Sequence, residues 1–319
     1  MNKHLSPALA SLPLLAVLCA LTGEPISSAR ADTLYGLTTS RQLARIDTEH
    51  PGRASAVTIE GVASGERLLT MAYAPPAPGS WAGALDGGLF AVGSKGTVYA
   101  VSVEAARATA LGQLSADVAS TLSSGSFALV WSGGALQGPA SSSFALLGSK
   151  GLNLSLTVGA DGISQTKNSA LTGEALGLSS ASRVAGTTYA LNTKTASLLE
   201  VPSSGPAVVM APLEVDTFGV SGLALTSDGR GWAALLADTG VSTLYEVTLA
   251  GAPLRALGEL SLADGTPLAP IAALTEVFSA PIPAPSPVPE PSAPALAIAG
   301  VGAAWFLGRR RSRQSSGLR

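Results

Sequence analysis

The chain has 319 residues, a formal net charge of −2 and only 13% charged residues, and it holds one cysteine and two histidines. Between Asp32 and Pro291 there are 12 Lys/Arg against 20 Asp/Glu with no basic cluster, which argues against nucleic acid or anionic lipid as a partner. Cys19 and His4 both lie in the first 31 residues, so a chain shortened there would have no disulfide, no thiolate metal site and only His50 as a histidine base.

At the N-terminus, Lys3 and His4 precede an apolar run from Ala8 to Leu21. Ala29-Arg30-Ala31 then puts small residues at −3 and −1 before Asp32, the pattern of a signal peptide over residues 1–31. Leu18 stands before Cys19 where a lipidated signal would carry a small residue, so lipidation is not expected.

From residue 32 to 278 the chain is long enough for one all-β domain and contains a repeat. Phe90-Ala91-Val92-Gly93-Ser94-Lys95-Gly96 recurs as Phe144-Ala145-Leu146-Leu147-Gly148-Ser149-Lys150-Gly151, and the two Gly-Ser-Lys-Gly elements lie 55 residues apart. Each copy is an apolar run, a glycine-flanked turn and a second apolar run, which is a β-hairpin signal. Looser copies run from Leu34 to Ile46, Thr188 to Val201 and Trp232 to Val247. The second strands begin near positions 43, 98, 154, 198 and 244, a period that fits four-stranded propeller blades.

Short fourth strands are predicted at Ala56–Ile59, Ala108–Leu111, Val208–Met210 and Leu254–Leu257. First strands are predicted at Leu68–Tyr73, Ser126–Val130, Ala175–Leu178 and Val220–Leu225. Four first strands for five hairpins leave one missing, and Ile271–Val277 supplies it. The expectation is a β-propeller of about five four-stranded blades, closed by a blade that N- and C-terminal strands share. A two-sheet β-sandwich is the alternative.

Asp161-Gly162 and Ser227-Asp228-Gly229 have turn composition without the acidic ladder of a calcium loop. Gly83, Gly87 and Gly88 lack the strand-to-helix setting of a phosphate loop. His50, before Pro51-Gly52, reads as an exposed turn residue. Trp81, Trp131 and Trp232 read as core or blade-packing residues, with stacking on sugars as the alternative if they are exposed. No cofactor, metal or catalytic residue is assigned.

Residues 279–287 alternate proline, which favours an extended polyproline spacer. Val288-Pro289-Glu290-Pro291 follows, then 15 uncharged residues from Ala293 to Leu307, then Arg309, Arg310, Arg311 and Arg313. Such an apolar helix is shorter than the roughly 17–25 residues of a stable span. The arginines orient it with its end in the cytoplasm.

This tail over 288–319 resembles the PEP-CTERM sorting signal of Gram-negative bacteria, the substrate of exosortases. The resemblance implies recognition at Val288–Pro291 by exosortase after passage through the export machinery. It also implies transient residence in the inner membrane and delivery to the cell surface or extracellular matrix. Exopolysaccharide or surface proteins are the partners it suggests. Leu34-Tyr35-Gly36-Leu37-Thr38 and Leu43-Ala44-Arg45-Ile46-Asp47 are similar to an exported bacterial domain of unknown function with propeller-like "LY-x-I-D" hairpins. That likeness implies the fold and adds no chemistry. A non-catalytic structural or binding role is the expectation. An extracellular propeller-type hydrolase or metal enzyme is the alternative, which acidic residues converging on one channel mouth would favour.

Overall fold

The computed structural model describes residues 33–75, 88–133, 141–159, 161–203, 205–251 and 253–277. Twenty strands form five four-stranded antiparallel sheets. Blade 1 contains β1 (Thr33–Thr38), β2 (Gln42–Asp47) and β3 (Ser55–Thr58), and blade 2 contains β4 (Leu68–Ala74), β5 (Gly88–Gly93), β6 (Thr97–Ser102) and β7 (Arg107–Gln113). Blade 3 is built from β8 (Phe127–Trp131), β9 (Ser142–Gly148), β10 (Asn153–Gly159) and β11 (Gly162–Lys167). Blade 4 comprises β12 (Leu178–Val184), β13 (Thr187–Asn192), β14 (Ser197–Val201) and β15 (Val208–Pro212). Blade 5 comprises β16 (Ser221–Leu225), β17 (Arg230–Leu236), β18 (Ser242–Thr248) and β19 (Arg255–Glu259). The last strand, β20 (Ile271–Glu276), joins blade 1 beside β1, giving the order β20-β1-β2-β3.

The innermost strands β20, β4, β8, β12 and β16 each pack against the next, and β16 returns to β20, so the ring is closed. Closure by a blade of N- and C-terminal strands leaves no open end to the array. The molecule is therefore a five-bladed β-propeller, as the repeat spacing predicts, and not a sandwich.

Why the sheets stack this way follows from their composition. Strands buried on both faces need apolar side chains on both, and β5, β16 and β17 read as near-continuous aliphatic runs with almost every residue buried. Five separate apolar clusters result, one at each blade-to-blade junction. Between blades 2 and 3 the rings of Phe90 and Phe144 meet with centroids 4.9 Å apart. Burying such a side chain contributes about 1.5–3 kcal/mol.

A recurring turn fixes where each blade ends. Arg41, Gly96, Gly151 and Ala196 have left-handed φ of 62°, 88°, 92° and 46° between the second and third strands of their blades. Their carbonyls accept the N–H of Ile59, Leu114, Leu171 and Leu213 at 2.8–3.0 Å, and in blade 5 the Ser242 carbonyl accepts that of Leu260 at 2.8 Å. All five of these aliphatic residues are buried. One hydrogen bond and one buried side chain per blade thus anchor the chain as it leaves its outer strand.

Three details differ from the sequence expectation. The first strand of blade 4 is Leu178–Val184 and not Ala175–Leu178; Gly173–Ala175 is a 3-10 turn. Blade 3 has a fourth strand, β11, that its polar sequence Gly-Ile-Ser-Gln-Thr-Lys hides. A short helix, α1 (Ala116–Thr121), lies in the blade 2 to blade 3 connection and buries Val118 in their shared cluster.

Among the described residues no helix is long and apolar enough to cross a membrane. The apolar segment 293–307 predicted as a helix lies outside the described residues.

Candidate functional site

Hydroxyl groups bind the inner strands to one another around the axis. Thr70 Oγ1 on β4 accepts the Leu129 N–H of β8 at 2.9 Å, and Ser182 Oγ on β12 accepts the Leu225 N–H of β16 at 3.1 Å. Thr275 Oγ1 on β20 accepts the Tyr73 N–H of β4 at 3.3 Å. Serine and threonine supply here what a purely aliphatic strand cannot: partners for inner-edge amides that have no further strand to pair with. The inner strand of blade 4, Leu-Ser-Ser-Ala-Ser-Arg-Val, is polar for this reason.

All five inner strands end around one mouth of the channel, which opens into a cavity of about 240 Å³. Half-buried Trp131 of β8 and Tyr73 of β4 contribute aromatic surface, while Arg183 of β12 is exposed. Glu276 of β20 is the one carboxylate among the described lining residues. Burial pushes the Tyr73 phenol above its ordinary value of 10.0, so it is neutral at physiological pH. The opposite mouth holds a smaller cavity of about 120 Å³ at the N-terminal ends of the same strands.

A second space of about 420 Å³ lies between blades 3 and 4. One wall comes from β9 and β10, the other from β13 and β14, all interior strands of their sheets. Ser132, Asn153, Asn168, Thr188 and Glu200 give it a polar lining, and Arg183 borders this space as well as the channel mouth. Asn168 Nδ2 donates to Asn153 Oδ1 at 3.2 Å and Ser155 Oγ at 2.9 Å, which holds the amides in a row.

The processing residues Ala29, Ala31, Val288, Pro289, Glu290 and Pro291, and the arginines at 309, 310, 311 and 313, lie outside the described residues, as do Trp81, Gly83 and Gly87. Trp232 is a core residue at the junction of blades 5 and 1. His50 is exposed before the 3-10 turn Pro51–Arg53, with its Nδ1 3.4 Å from Asp47 Oδ2, and does not border the mouth. Asp228 is a turn residue whose carboxylate takes hydrogen bonds from Thr226 and the Arg230 side chain; these hold its pKa at about 2. Asp161 lies in the β10–β11 connection, and Gly162, which opens β11, has φ +103°. Among the described residues no group of three or more His, Cys, Asp or Glu is placed to hold a metal ion.

The sequence reading singles out Trp131 but leaves Arg183 unmarked, because Ser-Arg-Val at a strand end has no local signature. The common position of these two residues comes from the ring alone.

No family model matches the chain, and no curated protein does. Among solved structures, it is similar to a protein of unknown function from Bacteroides thetaiotaomicron at 12% identity, covering 78% of this chain and 65% of that one, with a TM-score of 0.43. Virginiamycin B lyase from Staphylococcus aureus is similar at 10% identity over 68% of this chain and 62% of its own, with a TM-score of 0.36. The WD40 domain of SCAP from fission yeast is similar at 11% identity over 75% and 57%, with a TM-score of 0.31. The chain thus spans less than two thirds of the length of each of these three, whose functions are unknown or varied.

Proposed function

We propose that this is an exported, exosortase-sorted protein of the cell surface or extracellular matrix, with a non-catalytic binding or structural role. The observation that carries the reading is the tail: Val288-Pro289-Glu290-Pro291, an uncharged segment and an arginine cluster, set behind a proline-alternating spacer. The prolines remove backbone donors and disfavour helix, which suits an extended protease substrate beside the membrane. At the other end the export signal ends at Ala29 and Ala31, next to the first blade.

A closed propeller suits life outside the cell. Its blades are locked pairwise by five apolar clusters. Support for binding over catalysis comes from the channel mouth, where the described lining residues hold a single carboxylate with one guanidinium and two aromatic rings.

The test is fractionation of a host that carries an exosortase. The wild-type chain is expected at the surface or in the medium, and Glu290→Ala in the inner membrane with its tail intact. Wild type and variant both retained in the membrane would contradict sorting. Hydrolysis of matrix polymers by the purified chain would contradict the non-catalytic role.

A further inference from the structure

We propose that the channel mouth and the groove between blades 3 and 4 form one continuous site for a neutral oligosaccharide. Arg183 is the hinge of this assignment, since it borders both the mouth and the groove. Trp131 at the mouth packs toward blade 2, and the next residue, Ser132, lines the groove toward blade 4, so the end of β8 borders both spaces. The two spaces, about 240 and 420 Å³, together accommodate an extended ligand and not a compact one.

Lining chemistry selects the ligand class. A sugar ring presents hydroxyls at its rim and C–H groups on its faces, which calls for hydrogen-bonding side chains beside a flat apolar surface. The groove supplies hydroxyls and amides from Ser132, Ser155, Asn153, Asn168 and Thr188, and the mouth supplies the Trp131 and Tyr73 rings. Among the described lining residues the charges are one positive, Arg183, and two negative, Glu200 and Glu276. That balance disfavours a polyanion such as a uronate chain. Arg183 donates to sugar hydroxyls and Glu200 accepts from them, and such charge-assisted hydrogen bonds are the stronger kind.

A peptide is the competing polymer. Extended peptides bind by adding to an open strand edge. Here most of the strand lining comes from the faces of interior strands, β9 and β10 against β13 and β14, which offer side chains and not an open strand edge. The geometry favours the sugar.

This assignment deepens the binding role proposed above, and its test is independent of sorting. Full-length protein purified in mild detergent is titrated calorimetrically with neutral β-1,4-linked glucan and mannan hexasaccharides, their disaccharides, a hexauronate and a Gly/Ser/Thr hexapeptide. A neutral hexasaccharide is expected to bind, and its disaccharide about tenfold more weakly, because only the longer ligand reaches both spaces. Arg183→Ala is expected to weaken the hexasaccharide about tenfold, the loss of one charge-assisted hydrogen bond. Arg183 is exposed, so this variant is expected to keep its fold, whereas Trp131→Ala also removes packing against the blade 2–3 cluster. Asn168→Ala, at the far end of the groove, is expected to weaken the hexasaccharide and leave the disaccharide unchanged. Binding of the hexauronate or the peptide alone, no binding of either neutral hexasaccharide, or binding indifferent to both Arg183→Ala and Asn168→Ala overturns the assignment. A protein that fails here but is still cut at its tail in cells leaves the sorting proposal standing.

Discussion

Glu66 is a buried carboxylate that acts as a linchpin for a turn. Its Oε1 accepts the Lys95 and Thr97 N–H groups at 2.9 and 3.3 Å, and its Oε2 accepts the Tyr99 hydroxyl at 2.6 Å. Tyr99 in turn accepts the Ala63 N–H at 3.1 Å. Burial alone would push the Glu66 pKa up, but these hydrogen bonds outweigh it and hold the group below its ordinary value of 4.5. Glycine is required at position 93, where a methyl group would overlap the Glu66 carboxyl. Gly93→Ala is therefore expected to cost about 1–3 kcal/mol through the displaced carboxylate, read as a lower midpoint in urea unfolding. Asp117 is also depressed, to about 2, by its Lys167 partner. Both groups have lower folded than unfolded pKa values, so they stabilise the fold above their ordinary range and lose that contribution as pH falls through the folded values. Thermal stability is thus expected to fall from about pH 4.5 toward 2, with a shallower fall in Asp117→Asn, measured by scanning calorimetry. Gly-Ser-Lys-Gly was legible as a turn from its glycines. The role of Glu66 was not, because its partners lie 29–33 residues away and Gly65-Glu66-Arg67 reads as ordinary loop charge.

Strands whose burial shows as apolar runs were legible, and strands whose polar groups answer to neighbouring blades were not. β12 was displaced in the sequence reading because Ser179, Ser180 and Ser182 break its apolar pattern; Ser179 meets Ser221 of the next inner strand, and Ser182 meets Leu225. β11 was missed because an outer strand can be polar on both faces. Gly222 marks a close approach between inner strands, since a Cβ there would lie 2.6 Å from that of Leu274 on β20. Gly222→Ala is expected to force β16 away from β20 and cost about 1–3 kcal/mol as overpacking, measured in the same unfolding assay. β15 is unlike the other outer strands in exposing Val208, Val209 and Met210 side by side. Outer strands are usually protected by charge, as at Arg107 on β7 and Lys167 on β11. Val209→Lys is expected to raise the concentration at which the protein stays monodisperse in light scattering, with little change in stability.

At the scale of the whole molecule, blade number and ring closure were legible because the repeat period and the unpaired strand at Ile271–Val277 are both local sequence features. The shared position of Arg183 and Trp131 at one mouth was not, since it depends on how β8 and β12 sit in the ring. Closure by β20 implies all-or-none behaviour: a chain ending at residue 270 loses the inner strand of blade 1 and two blade junctions. It is expected to lose the cooperative thermal transition entirely, as followed by circular dichroism. Sorting is the central claim, and it concerns the two ends of the chain. Terminal peptide mapping by mass spectrometry, on separated cell and medium fractions of the native host, tests it most directly. The account predicts a form that begins at Asp32 and lacks everything beyond Val288–Pro291. A membrane-bound form that retains Ala293 to Arg319 would contradict it.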